Sequence, residues 1–104
     1  MKKYYDKLIR DRIPERIEEE GKEFSVHQTH PRLLEKYSFA KLREEIEEFI
    51  ENPCAEEAAD VQEILEHICR REQIHSNAIK AARLAKRSMS GGFDMGFILE
   101  WVED

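Results

Sequence analysis

Four acidic side chains between Lys41 and Asp60 are spaced as a cation site would need them. Glu45 and Glu48 form one pair at i,i+3, and Glu57 and Asp60 form a second, on either side of an Asn52-Pro53 break. Residues three apart on a helix project from nearly the same face. If the chain folds back at the break, Glu48 comes level with Glu57 and Glu45 with Asp60. Four carboxylates would then converge between two antiparallel helices. Like charges this close repel, so the cluster needs a counter-charge. A hard divalent cation with oxygen ligands, Mg²⁺ before others, supplies it. The competing reading is ordinary: glutamate favours helices, and a dense acidic run is commonly a solvated face.

Two helices must carry these residues. Pro31 opens a segment running to about Glu51, in which Phe39, Leu42, Ile46 and Phe49 follow the spacing of a buried stripe. Glu45 and Glu48 each precede a stripe residue by one position, which sets them on its edge. Lys41, one turn before Glu45, either pairs with it or reaches a phosphate. Pro53 is expected to start the next helix, to about Glu72, with Ala58, Val61, Leu65 and Ile68 as its core line and Ile64 beside it. Asp60, Glu63 and His67 share another face of that helix. The di-iron carboxylate helices use Glu-x-x-His, a spacing that Glu63 and His67 do not have.

The flanking segments are basic or apolar. Lys2, Lys3, Lys7, Arg10 and Arg12 alternate with Tyr4, Tyr5, Leu8 and Ile9. This arm either packs against the acidic helices or contacts phosphate, for which lysine and arginine are the usual partners. A short helix is expected over Pro14–Glu20, stopped by Gly21. The stretch 23–29 reads as an ordered linker, since one weak strand makes no sheet, and the flanking His27 and His30 as surface residues. A further helix is expected from an N-cap at Ser76 to Ser90-Gly91-Gly92, with Ile79, Ala82 and Leu84 on one side and Lys80, Arg83, Lys86 and Arg87 on the other. The tail from Phe93 to Asp104 is too apolar to stand free and is expected to pack on the body or on a partner subunit.

Composition bounds the class. With 104 residues, 40% hydrophobic and 38% charged, the chain reads as one all-α domain, a bundle of three main helices plus a short N-terminal one, completed by oligomerisation. The net charge of −6 argues against a nucleic-acid binder. No apolar run approaches the roughly 18 residues of a membrane span. Cys54 and Cys69 match no metal or redox motif and read as reduced thiols, Cys69 in the core, of a cytoplasmic protein.

Taken together, the segments resemble the MazG-like, all-α nucleoside triphosphate pyrophosphohydrolase superfamily, which includes phosphoribosyl-ATP pyrophosphohydrolase and the dimeric dUTPases. Glu44-Glu45-Ile46-Glu47-Glu48 and Glu57-Ala58-Ala59-Asp60 are similar to its EExxE and ExxD signatures. Lys7-Leu8-Ile9-Arg10-Asp11-Arg12-Ile13-Pro14-Glu15 resembles the KLxRDxIPE opening of a phosphoribosyl-ATP pyrophosphohydrolase-like branch, and Gly91-Gly92-Phe93 its closing GGF. The resemblance implies Glu45, Glu48, Glu57 and Asp60 as ligands of Mg²⁺, which Mn²⁺ could replace, with Glu44 as a supporting carboxylate. It implies cleavage between the α and β phosphates of a nucleotide substrate, releasing pyrophosphate, in a homodimer or homotetramer. Lys7, Arg10, Arg12, Lys41, Lys86 and Arg87 are the candidates for the phosphates. Ser90 stands where that branch carries arginine, and the histidine-pathway enzyme's glycine-rich loop is missing, which bears on whether phosphoribosyl-ATP is the substrate. Two rival classes are a non-catalytic dimerisation or regulatory module that keeps the acids as surface charge, and a metal oxidase built on Asp60, Glu63 and His67.

Overall fold

The hairpin that carries the acidic signature is the packed part of the molecule. The computed structural model describes residues 1–103, which form four helices and no strand: α1 (Ile13–Glu19), α2 (Pro31–Glu51), α3 (Ala55–Arg71) and α4 (Ser76–Ser90). The expected all-α class is observed. The linker 22–30 has no regular structure. Among the described residues no helix is long and apolar enough to cross a membrane.

Local chemistry explains where each helix begins and ends. At α2, His30 is the N-cap, its Nδ1 accepting the Arg32 N–H at 3.1 Å, and Pro31 fills the first turn, where its missing N–H costs nothing. Asn52 leaves the helical region (φ −143°, ψ 78°), as a residue before proline tends to. α3 starts at Ala55 and not at Pro53. Pro53 and the extended Cys54 N-cap make the turn, and Glu56 and Glu57 set negative charge at the helix's positive end. α1 and α3 both close in a Schellman pattern. After α1 the left-handed residue is Gly21, with Gly21 N–H bonding Glu18 O and Lys22 N–H bonding Ile17 O. After α3 it is Gln73 (φ 58°), whose N–H bonds Arg70 O while Ile74 N–H bonds Cys69 O. At α4 the N-cap is His75, so Ser76 is the first helical residue and not the cap.

Burial departs from the periodic stripes. The buried apolar residues are Ile64 and Ile68 of α3, and the buried residues of α2 are polar, Ser38 and Glu45. Ile46 and Leu65, both expected in the core, are exposed, while Phe39, Leu42, Phe49, Ala58 and Val61 are half-buried. Cys69 is also half-buried, and both thiols are free. α4 buries nothing. The tail does not pack on the body: Phe93 is 98% exposed, Trp101 79%, and Phe97, Ile98, Leu99 and Val102 are similarly bare. Its last residue, Asp104, lies outside the described residues. The radius of gyration is 18.6 Å, against about 13 Å for a compact domain of 100 residues. The accessible surface is 10194 Å², against about 6,100 Å² for a compact monomer of this mass.

Because the α2–α3 interface rests on so few buried carbons, their removal is costly. Ile68→Ala is expected to lower stability by about 2–4 kcal/mol, whereas the neighbouring Leu65→Ala costs less than about 1 kcal/mol. Urea unfolding at one protein concentration measures both.

Candidate metal centre

The Asn52-Pro53 turn brings the end of α2 against the start of α3, and the acids meet there. One carboxylate oxygen from each of Glu45, Glu57 and Asp60 lies within 4.8 Å of the other two. The same holds for Glu44, Glu45 and Glu48. Glu45 belongs to both groups, so it is the hub of the site. The level pairing expected across the turn is therefore met by Glu45 with Asp60. Glu48, exposed on α2, groups with Glu44 and Glu45 of its own helix and feels the charge of Glu57 across the turn.

Charge and burial set the character of the cluster. Glu45 is 6% exposed. Its Oε1 pairs with Lys41 Nζ at 3.0 Å, and its Oε2 is buried without a hydrogen-bond partner. Glu57 Oε2 is a second such orphan. A buried unpartnered polar atom costs about 1–3 kcal/mol. An all-oxygen donor set suits a hard cation and not a soft one. Ligands on opposite sides of Mg²⁺ stand about 4.2 Å apart at ~2.1 Å each, so small side-chain adjustments close the cluster on an ion. The residues therefore fit a divalent cation held by Glu45, Glu57 and Asp60, with Glu48 and Glu44 at its open edge.

Three expected phosphate-binding cations reach the cluster, and three do not. Lys7 Nζ pairs with Glu44 Oε1 at 2.9 Å, Arg10 Nη2 with Asp60 Oδ1 at 2.7 Å, and Lys41 with both Glu45 and Glu44, the latter at 3.5 Å. Arg12 is turned to Glu15 on α1. Lys86 and Arg87 sit on exposed α4 and line neither the cluster nor the cavity beside it; the Arg87 guanidinium lies against Gly92. Of the two readings of the basic arm, its packing against the acidic helices is the one observed.

Beside the cluster lies a cavity of about 250 Å³ between the arm and the hairpin, lined by Arg10, Lys41, Glu45, Asp60, His67 and Arg70 among others. One lining residue, His67, has a partner that periodicity does not suggest. Ser38 Oγ, fully buried, lies 3.2 Å from His67 Nε2. Burial, then the charges of Arg71 and Arg70, hold the His67 imidazole below its usual pKa, against the opposing pull of Asp11 and Glu63. Ser38 and Glu45 are seven apart on one helix face, so the spacing was there to be read, but serine carries no apolar signal. Among the described residues Asp60, Glu63 and His67, the set of the oxidase alternative, do not come together as a metal-holding group. Asp6, accepting from the Tyr37 hydroxyl at 2.7 Å, staples the arm to α2. A contact across 31 positions leaves no local trace in sequence.

The electrostatics follow the same geometry. The Glu45 charge, with Glu44 and Glu57 contributing, holds the Glu48 carboxyl above its ordinary value. Burial pushes Glu44 upward, but the hydrogen bond from Lys7 and the charge of Lys41 outweigh it and leave Glu44 below. Lys7 is raised, chiefly by that hydrogen bond. Compared with known proteins, the chain shows no significant match to a family model, a curated protein or a solved structure.

A carboxyl raised on folding binds more protons folded than unfolded. The stability it contributes is therefore lost as pH rises from 4.5 through its raised folded value. Glu48→Gln removes that repulsion. The metal-free variant should unfold at higher urea than the wild type at pH 7, with the difference shrinking as pH falls toward 4.5. An unchanged or lower midpoint at pH 7 contradicts the repulsion.

Proposed function

We propose that the protein is a Mg²⁺-dependent nucleotide pyrophosphohydrolase of the MazG-like type, cleaving between the α and β phosphates and releasing pyrophosphate. The observation that carries this reading is the buried, half-unpartnered Glu45 carboxylate converging with Glu57 and Asp60 beside phosphate-competent cations. Such a pairing of carboxylates with Lys and Arg is what a metal-complexed polyphosphate needs at once.

In this reading Glu45, Glu57, Asp60 and Glu48 hold the cation. When bound, it would neutralise phosphate charge and lower the pKa of a bound water. Lys7, Arg10 and Lys41 orient the phosphate oxygens. Glu44, outside the Glu45–Glu57–Asp60 group and not one of the cation's proposed ligands, would take a proton from the attacking water. The cavity, below the roughly 300–1,000 Å³ of whole-ligand pockets, has room for part of a nucleotide. We propose that a homodimer or homotetramer completes the site, supported by bare α4 and the bare apolar tail. Lys86 and Arg87 would meet the phosphates only from such a second copy.

Pyrophosphate release from a panel of canonical, deoxy and damaged nucleoside triphosphates plus phosphoribosyl-ATP, in Mg²⁺ and in EDTA, tests the reading. Metal-dependent release is expected from at least one member. Asp60→Asn should lower it by more than the roughly 10–100-fold that an outer-shell partner costs, with helical circular dichroism intact. Silence across the panel, or full turnover by Asp60→Asn, overturns it and leaves a non-catalytic helical module.

A further inference from the structure

We propose that the N-terminal arm is an exchangeable counter-ion: Lys7 and Arg10 neutralise the acidic cluster, Arg10 on the ligand Asp60 and Lys7 on the neighbouring Glu44, until a divalent cation binds, and are then released to take a phosphate-class anion. The inference rests on the metal-site reading above and adds an order of binding to it, cation before anion.

The charges at the site state the problem. Glu44, Glu45, Glu48, Glu57 and Asp60 carry five negative charges, and Lys7, Arg10 and Lys41 return three, leaving a net −2. A free phosphate or pyrophosphate meets that net repulsion, and the cations it needs are already engaged. Arg10 in particular holds Asp60 at 2.7 Å, using one of the two oxygens that Asp60 could offer a metal. A guanidinium in that place also repels an arriving dication. Cation binding therefore weakens both the Arg10–Asp60 and Lys7–Glu44 pairs, and each freed side chain stays beside the site.

The arm is built to let go. Residues 1–10 form no helix or strand. They carry four of the arm's basic residues against Asp6. Their hold on the hairpin consists of the Lys7 and Arg10 pairs, the Asp6–Tyr37 hydrogen bond and the half-buried Leu8 and Ile9. Both ion pairs are solvent-accessible, with Arg10 55% and Lys7 39% exposed, and exposed pairs are individually weak. Lys41 differs. It is 17% exposed and one helical turn from Glu45, so it stays as the permanent partner of the hub carboxylate.

Three readouts on the full-length chain test this, none of them turnover. Calorimetric titration with Mg²⁺ alone should show Arg10→Met binding on the order of two- to fivefold tighter than wild type, the range set by an exposed ion pair. Lys7→Met should shift in the same direction, and circular dichroism verifies that both variants fold. Trypsin cleavage of wild type after Lys7 should be faster with Mg²⁺ than without. Pyrophosphate should bind wild type measurably only when Mg²⁺ is present. If Arg10→Met and Lys7→Met bind Mg²⁺ equally or more weakly than wild type, the two cations support the metal ligands and the exchange is overturned, while the metal site stands. If wild type binds no Mg²⁺, the metal-site reading itself fails and the exchange fails with it.

Discussion

A carboxylate buried between two helices must be neutralised, and Glu45 is that carboxylate here. It sits where α2 meets α3, 6% exposed, with one oxygen on Lys41 and the other on nothing. Single-charge pairing leaves it half satisfied, and Glu57 and Asp60 arriving from α3 deepen the deficit. Much of the surrounding structure answers that deficit. Lys41 lies one turn before it on the same helix, and the basic arm is drawn across the hairpin by Glu44 and Asp60. The cavity opens on its accessible side. A structural ion pair would have closed the shell with further donors, since an incompletely paired buried charge is costly. An arrangement that leaves two carboxylate oxygens orphaned is one suited to a ligand.

The apolar side of the fold shows a matching incompleteness. Two buried isoleucines are little for 104 residues. α4 and the tail keep Ile79, Leu84, Phe93, Phe97 and Trp101 in contact with solvent. The surface exceeds that of a compact monomer by roughly 4,100 Å² per chain, whereas an obligate homodimer interface takes only about 1,000–2,500 Å² from each partner. The oligomer proposed above would bury part of that apolar surface.

The sequence made the helices legible because their signals are local. Pro31, the Asn52-Pro53 break, Gly21 and the Ser90-Gly91-Gly92 stop bracket the elements to within a residue or two. The acidic hub was legible too, because i,i+3 spacing on both sides of a short turn forces convergence. Burial was not. Periodicity names a stripe without saying what covers it, so Ile46 and Leu65 came out exposed while Ser38 and Glu45 went inside. The Asp6–Tyr37 and Arg10–Asp60 contacts join distant segments and depend on the path of an irregular arm, which carries no pattern. Gln73 in a left-handed conformation is a third case: the Schellman closure is present without the glycine that would announce it.

Thermal melting of the full-length protein in millimolar Mg²⁺, against K⁺ at matched ionic strength, tests the central claim most directly. A ligand that binds only the folded state raises the melting temperature by linkage. The account predicts a rise of several degrees specific to the divalent cation. A shift no larger than that in K⁺ would mean that the carboxylates of α2 and α3 form a solvated acidic face and hold no ion.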